Sequence, residues 1–148
     1  MADSFLEDLL PRLANAAPHT HALDFRFEGR HDAAVTLRAP YRAELAGDSA
    51  TSILASGVVT TLLDHAGGMA VWAALGGFQP IATLDLRIDY MRAAASNADI
   101  LARAECIQLT RSIAFVRGWA FDVRLEDPVA ALQAAYVITS RPDTEIEQ

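Results

Sequence analysis

The chain has 148 residues, 52% of them hydrophobic, enough to bury a substantial core, and a single domain over residues 1–148 is expected. Its formal net charge is −7 with the basic residues scattered, which argues against nucleic acid or an anionic membrane as a partner for the whole surface. The single cysteine, Cys106, excludes an internal disulfide and a cysteine-based zinc site, and an N-terminus lacking a basic-then-apolar leader points to the cytoplasm.

Residues 3–15 read as a short amphipathic helix, with Ser4 and Glu7 as a capping box and Phe5, Leu6, Leu9, Leu10 and Leu13 on one face. The first twenty residues thus form an N-terminal helical extension. Between residues 21 and 39, Leu23, Phe25 and Phe27 and then Ala33, Val35 and Leu37 alternate with polar positions, the pattern of an antiparallel strand pair closed by Pro40. Residues 40–56 show weak periodicity and read as a long loop carrying Ser49, of the kind that often borders a site.

Residues 55–76 are the apolar centre of the chain. They lack proline, stop at Gly76-Gly77, and place Val58, Val59, Leu62, Leu63, Ala66, Met69, Ala70 and Ala73 around most of a helical wheel, so the helix is expected to be buried nearly all round. The stretch is long enough to span a membrane, but Asp64 and His65 at its middle favour a buried helix of a folded domain. Thr60, Thr61, Gly67 and Gly68 make a stripe of small side chains past Asp64. From the helix alone, two roles are open for this acid: a hydrogen bond to a neighbouring strand, or chemistry.

Gln79 to Arg92 alternates Ala82, Leu84, Leu86, Ile88 and Tyr90 against Thr83, Asp85, Arg87 and Asp89, a strand with one core face and one polar face. A turn at Ser96-Asn97 leads to a strand from Ile100 to Gln108. A third strand follows Arg111 and Ser112, with the small residues Ala114, Gly118 and Ala120 on one face. Glu126-Asp127-Pro128 turns into a last strand from Val129 to Thr139, and residues 140–148 are a polar tail. The order is α+β: four strands expected as an antiparallel meander, curved around a hydrophobic helix on the concave face.

Other chemistries leave no signature, since no nucleophile elbow, phosphate-binding glycine loop, dinucleotide fingerprint or paired metal-ligand motif is present. His65 points about 100° away from its neighbour Asp64 and reads as a packing or interface residue. His19 and His21 share a strand-like spacing without a third ligand, so no metal site is expected. Cys106 reads as packing, and Arg87 with Asp89 as surface charges.

Taken together, residues 55–68 and the strand from Ala82 to Arg92 resemble the PaaI-like acyl-CoA thioesterases of hotdog fold, over roughly residues 40–140. The resemblance implies hydrolysis of an acyl-CoA to free acid and CoA, in a homodimer or dimer of dimers whose sites draw on two chains, without a metal or redox cofactor. It implies that Asp64 is the general base or nucleophile and that the Thr83 hydroxyl positions the attacking water. Ser49 falls near a family loop asparagine, while Arg92, Arg111 and Ser112 fall where coenzyme A phosphates are bound. Gly57 matches the second glycine of a family His-Gly-Gly motif, but Ala55 and Ser56 replace the His and first Gly.

The chemistry agrees with these placements. A helix N-terminus offers unpaired amides with a favourable dipole, so the N–H groups of Ser56 and Gly57 are the natural oxyanion donors. The missing His-Gly pair motivates an alternative, a non-catalytic acyl-CoA-binding module. A hotdog hydratase or dehydratase ranks last, because it needs a histidine partnered with an acid.

Overall fold

The computed structural model describes residues 2–139; the polar tail at 140–148 lies outside the described residues. Helix α1 (Ala2–Leu13) and a one-turn helix α2 (Pro18–Ala22) precede strands β1 (Arg26–His31) and β2 (Ala34–Ala39). A short hairpin of β3 (Ala46–Asp48) and β4 (Ile53–Leu54) leads into helix α3 (Ser56–Leu75), and β5 (Ile81–Tyr90), β6 (Ile100–Leu109), β7 (Ile113–Phe121) and β8 (Ala130–Ile138) complete the chain.

As its apolar circumference demands, α3 is enclosed: Leu62, Leu63, Ala66, Met69, Ala70 and Val71 are fully buried. The hydropathy that would suit a membrane span is accounted for by this burial. The helix stops where expected. Gly76 adopts φ 75°, and the amides of Gly76 and Gly77 bond back to Ala73 O at 3.3 Å and Trp72 O at 3.1 Å, the paired bonds of a Schellman motif.

One six-stranded antiparallel sheet curls around α3 in the order β1-β2-β6-β7-β8-β5, the hotdog architecture. The expected four-strand meander is corrected: β6, β7 and β8 follow one another, but β5 crosses over to pair with β8 and becomes a sheet edge. The Ser96-Asn97 segment therefore belongs to a crossover rather than a hairpin turn. Small residues on the concave face, Ala102, Ala104, Ala114, Ala120 and Ala134, bring the strands close to the helix, with Leu37, Val116 and Leu132 filling the gaps.

Three local expectations also change. Helix α1 begins at Ala2, before Ser4, and buries Leu6 and Leu10 while leaving Phe5 exposed. The strand pair begins only at Arg26, because Pro18, with φ preset at the first helical position, starts α2; His19 and His21 are thus helical. The region 40–56 is organised as a 3-10 turn and the β3/β4 hairpin. Its tip is tied down by Ser96 Oγ donating to Thr51 O at 2.6 Å and by the Asn97 amide donating to Ser52 O at 2.7 Å.

The sheet is tightest at Gly118, paired with Ala104: a Cβ there would sit 2.8 Å from Arg103 O and 3.1 Å from Ala104 Cβ. Relief requires backbone movement in two central strands. Gly118→Ala is expected to lower stability by about 1–3 kcal/mol, the usual cost of overpacking, as measured by urea denaturation; an unchanged midpoint contradicts this account.

Candidate active site

Asp64 sits half-buried on α3. Its Oδ1 accepts a hydrogen bond from Thr83 Oγ1 at 2.8 Å, and Tyr136 Oη, from β8, stands 3.2 Å from the same oxygen while donating to the Asp64 carbonyl at 2.7 Å. Among the described residues Oδ2 has no hydrogen-bond partner in the chain. Asp64 lines a cleft of about 310 Å³ whose walls include His19, Thr61, Gly68, Trp72, Ile81 and Tyr136.

Simple alternation put Thr83 on the polar face of its strand, opposite Leu86. A β-bulge reverses this. Thr83 pairs with Tyr136 and Asp85 with Ala135, so Leu84 is an extra residue and is pushed outward, 59% exposed. Thr83 then shares the helix-facing row with Leu86, Ile88 and Tyr90, whose partners on β8 are Ala134, Leu132 and Ala130. Without the bulge, the hydroxyl that meets Asp64 would face away from α3.

Tyr136 was missed in the sequence. Its signal was a single tyrosine in the buried row of an alanine-rich strand, where a phenol needs a partner. The partner is admitted by Gly67: a Cβ at that position would lie 2.2 Å from Tyr136 Oη. Burial, and next the Asp64 carboxylate, push the phenol well above its ordinary range.

At its N-terminal end, α3 begins without a side-chain cap. Ala55, the N-cap, has φ −58° and ψ 144°, and the Val58 amide bonds to Ala55 O at 3.0 Å. The amides of Ser56 and Gly57 have no acceptor in the chain among the described residues, and both residues are exposed. Tyr90 braces this turn: its hydroxyl donates to Ser56 O at 2.9 Å and meets Thr60 Oγ1.

The remaining candidates separate. Ser49 lies in the exposed tip between β3 and β4, the hairpin that leads into the helix N-terminus. Arg111 and Ser112 form the β6–β7 turn, next to the ends of β5 and β8, and the Arg111 side chain has no partner among the described residues. Arg92 is engaged within the chain. All five of its N–H donors are committed: Nε to Asp127 Oδ1, Nη1 to Ala93 O and Asp122 Oδ2, Nη2 to Asp122 Oδ1 and Asp127 O. It closes the crossover, bridging Asp122 and Asp127.

His65 is a packing residue, as expected. Its Nε2 meets Leu13 O at 2.9 Å, its ring lies beside Phe25 and Trp72, and burial lowers its pKa. Through it the residue next to Asp64 anchors the end of α1. Cys106 is half-buried, and burial raises its thiol pKa. No group of three or more potential metal ligands occurs among the described residues.

The sequence profile of the thioesterase superfamily matches residues 52–127, which span the helix N-terminus, Asp64, Thr83 and the crossover. The chain belongs to the thioesterase superfamily. Membership makes thioester hydrolysis the general reaction type. A Pseudomonas aeruginosa protein of known crystal structure is 31% identical, with 90% of this chain and 99% of that one covered, at a TM-score of 0.83. A thioesterase family protein from Silicibacter pomeroyi is 20% identical over 92% of this chain and 99% of its own, at a TM-score of 0.76. The phenylacetic acid degradation protein PaaI from Thermus thermophilus, in a mutant form, is 22% identical over 83% of this chain and 100% of its own, at a TM-score of 0.70. The last two share the fold. No curated protein matches the chain.

The Arg92 assignment makes a testable claim about stability. Asp122, whose side chain is 3% exposed, is held well below the usual carboxylate range, first by the hydrogen bonds from Arg92 and then by backbone amides, against the opposing effect of burial. A folded-state pKa below the unfolded value stabilises the protein fully above the ordinary carboxylate range, and this contribution is lost as pH falls below about 4. Arg92→Ala is expected to lower the thermal midpoint by several degrees at neutral pH and to flatten its decline in acid, measured by circular dichroism from neutral pH to pH 3. A variant with the parental acid profile would refute the pairing.

Proposed function

We propose that the protein hydrolyses acyl-CoA thioesters to a free acid and CoA, with Asp64 as general base. The observation that carries this reading is an acid in a superfamily thioesterase cleft with one oxygen held by Thr83 and the other free. Thr83 gives its only proton to Asp64 Oδ1, so it meets a water as an acceptor. A water donating one hydrogen to Thr83 Oγ1 and the other to Asp64 Oδ2 has a lone pair left for the thioester carbon. As the new C–O bond forms, the water proton passes to Asp64; the tetrahedral intermediate then expels the thiolate as the C–S bond breaks, and the thiolate takes that proton.

The negative charge on the carbonyl oxygen needs donors, and the open amides of Ser56 and Gly57 suit it. Gly57 lies seven positions before Asp64 on the same helix, a rise of about 10 Å, and the resemblance to PaaI-like thioesterases, whose sites draw on two chains, supports donors from a second copy. In this reading a second copy supplies the amides, brought there by edge-to-edge pairing of β5, whose outer edge is unpaired and bears exposed Leu84 and Tyr90. Arg111 and Ser112 are the phosphate contacts in this reading, while Arg92 is engaged with Asp122 and Asp127. No metal or redox cofactor enters the reaction.

The Ala55-Ser56 departure keeps a second reading open, an acyl-CoA-binding module without turnover. One experiment separates them: thiol release from short, medium, long and aromatic acyl-CoAs by the wild type and by Asp64→Asn. Turnover is expected, falling about 100- to 10,000-fold in the variant, the usual worth of a general base. Binding by calorimetry without thiol release from any substrate selects the module, and an Asp64→Asn chain as fast as wild type removes Asp64 from the mechanism.

The shared site makes a further prediction. Ser56→Pro removes one amide donor at a position suited to proline, since it is the first helical residue and Ala55 is already extended; Gly57→Pro removes the other. Losing an oxyanion donor should cost about 100- to 1,000-fold in kcat. Co-expressed with Asp64→Asn, the slow proline variant should regain about a quarter of wild-type activity, because half of randomly paired dimers carry one intact site of two. No recovery in hybrids places both groups in one chain.

A further inference from the structure

We propose that Tyr136 is a positioning residue for this reaction, holding Asp64 so that Oδ1 is occupied and Oδ2 is presented to the cleft. The inference rests on the hydrolytic reading of Asp64 given above. A carboxylate on a helix swings about two side-chain torsions, and a base has to keep one oxygen on the water through the reaction. Thr83 alone fixes one point. Tyr136 adds a second of a different kind: its one O–H is shared between the backbone carbonyl of Asp64 at 2.7 Å and the carboxylate Oδ1 at 3.2 Å. Bridging both oxygens of a single residue locks the side chain against its own backbone.

Two independent features show that the chain is built around this contact. Tyr136 is 2% exposed on β8, where its ring packs against α3, so its hydroxyl is largely withdrawn from solvent. One turn beyond Asp64, Gly67 leaves the space the hydroxyl occupies; even alanine would put a carbon 2.2 Å from the phenol oxygen. Beside a carboxylate and away from water, the phenol stays protonated, so Tyr136 is a permanent donor and never a competing base.

Tyr136→Phe keeps the ring and removes only the hydroxyl. With the acyl-CoA that wild type hydrolyses fastest, kcat is expected to fall about 10- to 100-fold, the range for a hydrogen bond to a charged group, while KM stays within about threefold. Gly67→Ala, which keeps the tyrosine but displaces its hydroxyl, should reproduce the defect, and the cooperative melt of each variant reports folding. An unchanged kcat in a folded Tyr136→Phe, or a rise in KM alone, overturns the assignment and makes Tyr136 a wall of the pocket. If Tyr136→Phe does not fold, Gly67→Ala decides by the same split; if neither folds, the contact is structural and the assignment fails. A wild type without thiol release on any acyl-CoA sinks the hydrolytic reading itself, whereas an active wild type matched by Tyr136→Phe sinks only the role given to Tyr136.

Discussion

Everything in this fold answers to one acid placed in the middle of an apolar helix. A carboxylate among buried aliphatic groups is costly unless it is hydrogen-bonded, and α3 itself offers Asp64 little, because Thr60, Thr61 and His65 bond to other groups and its remaining neighbours are leucines, alanines and glycines. The donors come from the sheet instead. Thr83 on β5 and Tyr136 on β8 are paired residues of adjacent strands, and both reach the same carboxylate oxygen. The other oxygen has no partner in the chain among the described residues, and Asp64 lines a cleft, so the arrangement satisfies one half of the group and leaves the other open.

That requirement propagates outward as a demand for small residues. Gly67 admits the Tyr136 hydroxyl, and Gly68 faces Ile81, whose Cδ1 would lie 3.4 Å from an added Cβ. The alanines of β6, β7 and β8 let the sheet close on the helix, and Gly118 lets two central strands approach more tightly than any side chain permits. The bulge at Leu84 belongs to the same logic, since it breaks the regular alternation at the point where a polar side chain must join an apolar row.

The two ends of the site obey opposite rules. Asp64 is held by tertiary contacts, whereas the first turn of α3 is left without the Ser, Thr, Asn or Asp that usually caps a helix, a loss of about 1 kcal/mol that leaves two amides unspent. Tyr90 and Thr60 steady that turn through a carbonyl and so leave the amides alone. The charges divide similarly. Arg92 is consumed in closing the crossover over Asp122 and Asp127, while Arg111, on an exposed turn, keeps its guanidinium unpaired among the described residues.

Local order was legible in the sequence. The limits of α3, its burial over most of its circumference, its glycine stop, Asp64 as its exceptional residue and His65 as packing all follow from a 3.6-residue period and the conformational freedom of glycine, which need no knowledge of distant contacts. The resemblance carried by residues 55–68 and 82–92 supplied the family. What the tertiary structure decided was which strand lies beside which and which way single residues face: β5 next to β8, Thr83 turned inward, Arg92 spent and Tyr136 brought to the acid. Strand order depends on pairings between segments some fifty residues apart, and one extra residue in a strand reverses every face before it. An alternating pattern read along the chain carries neither fact.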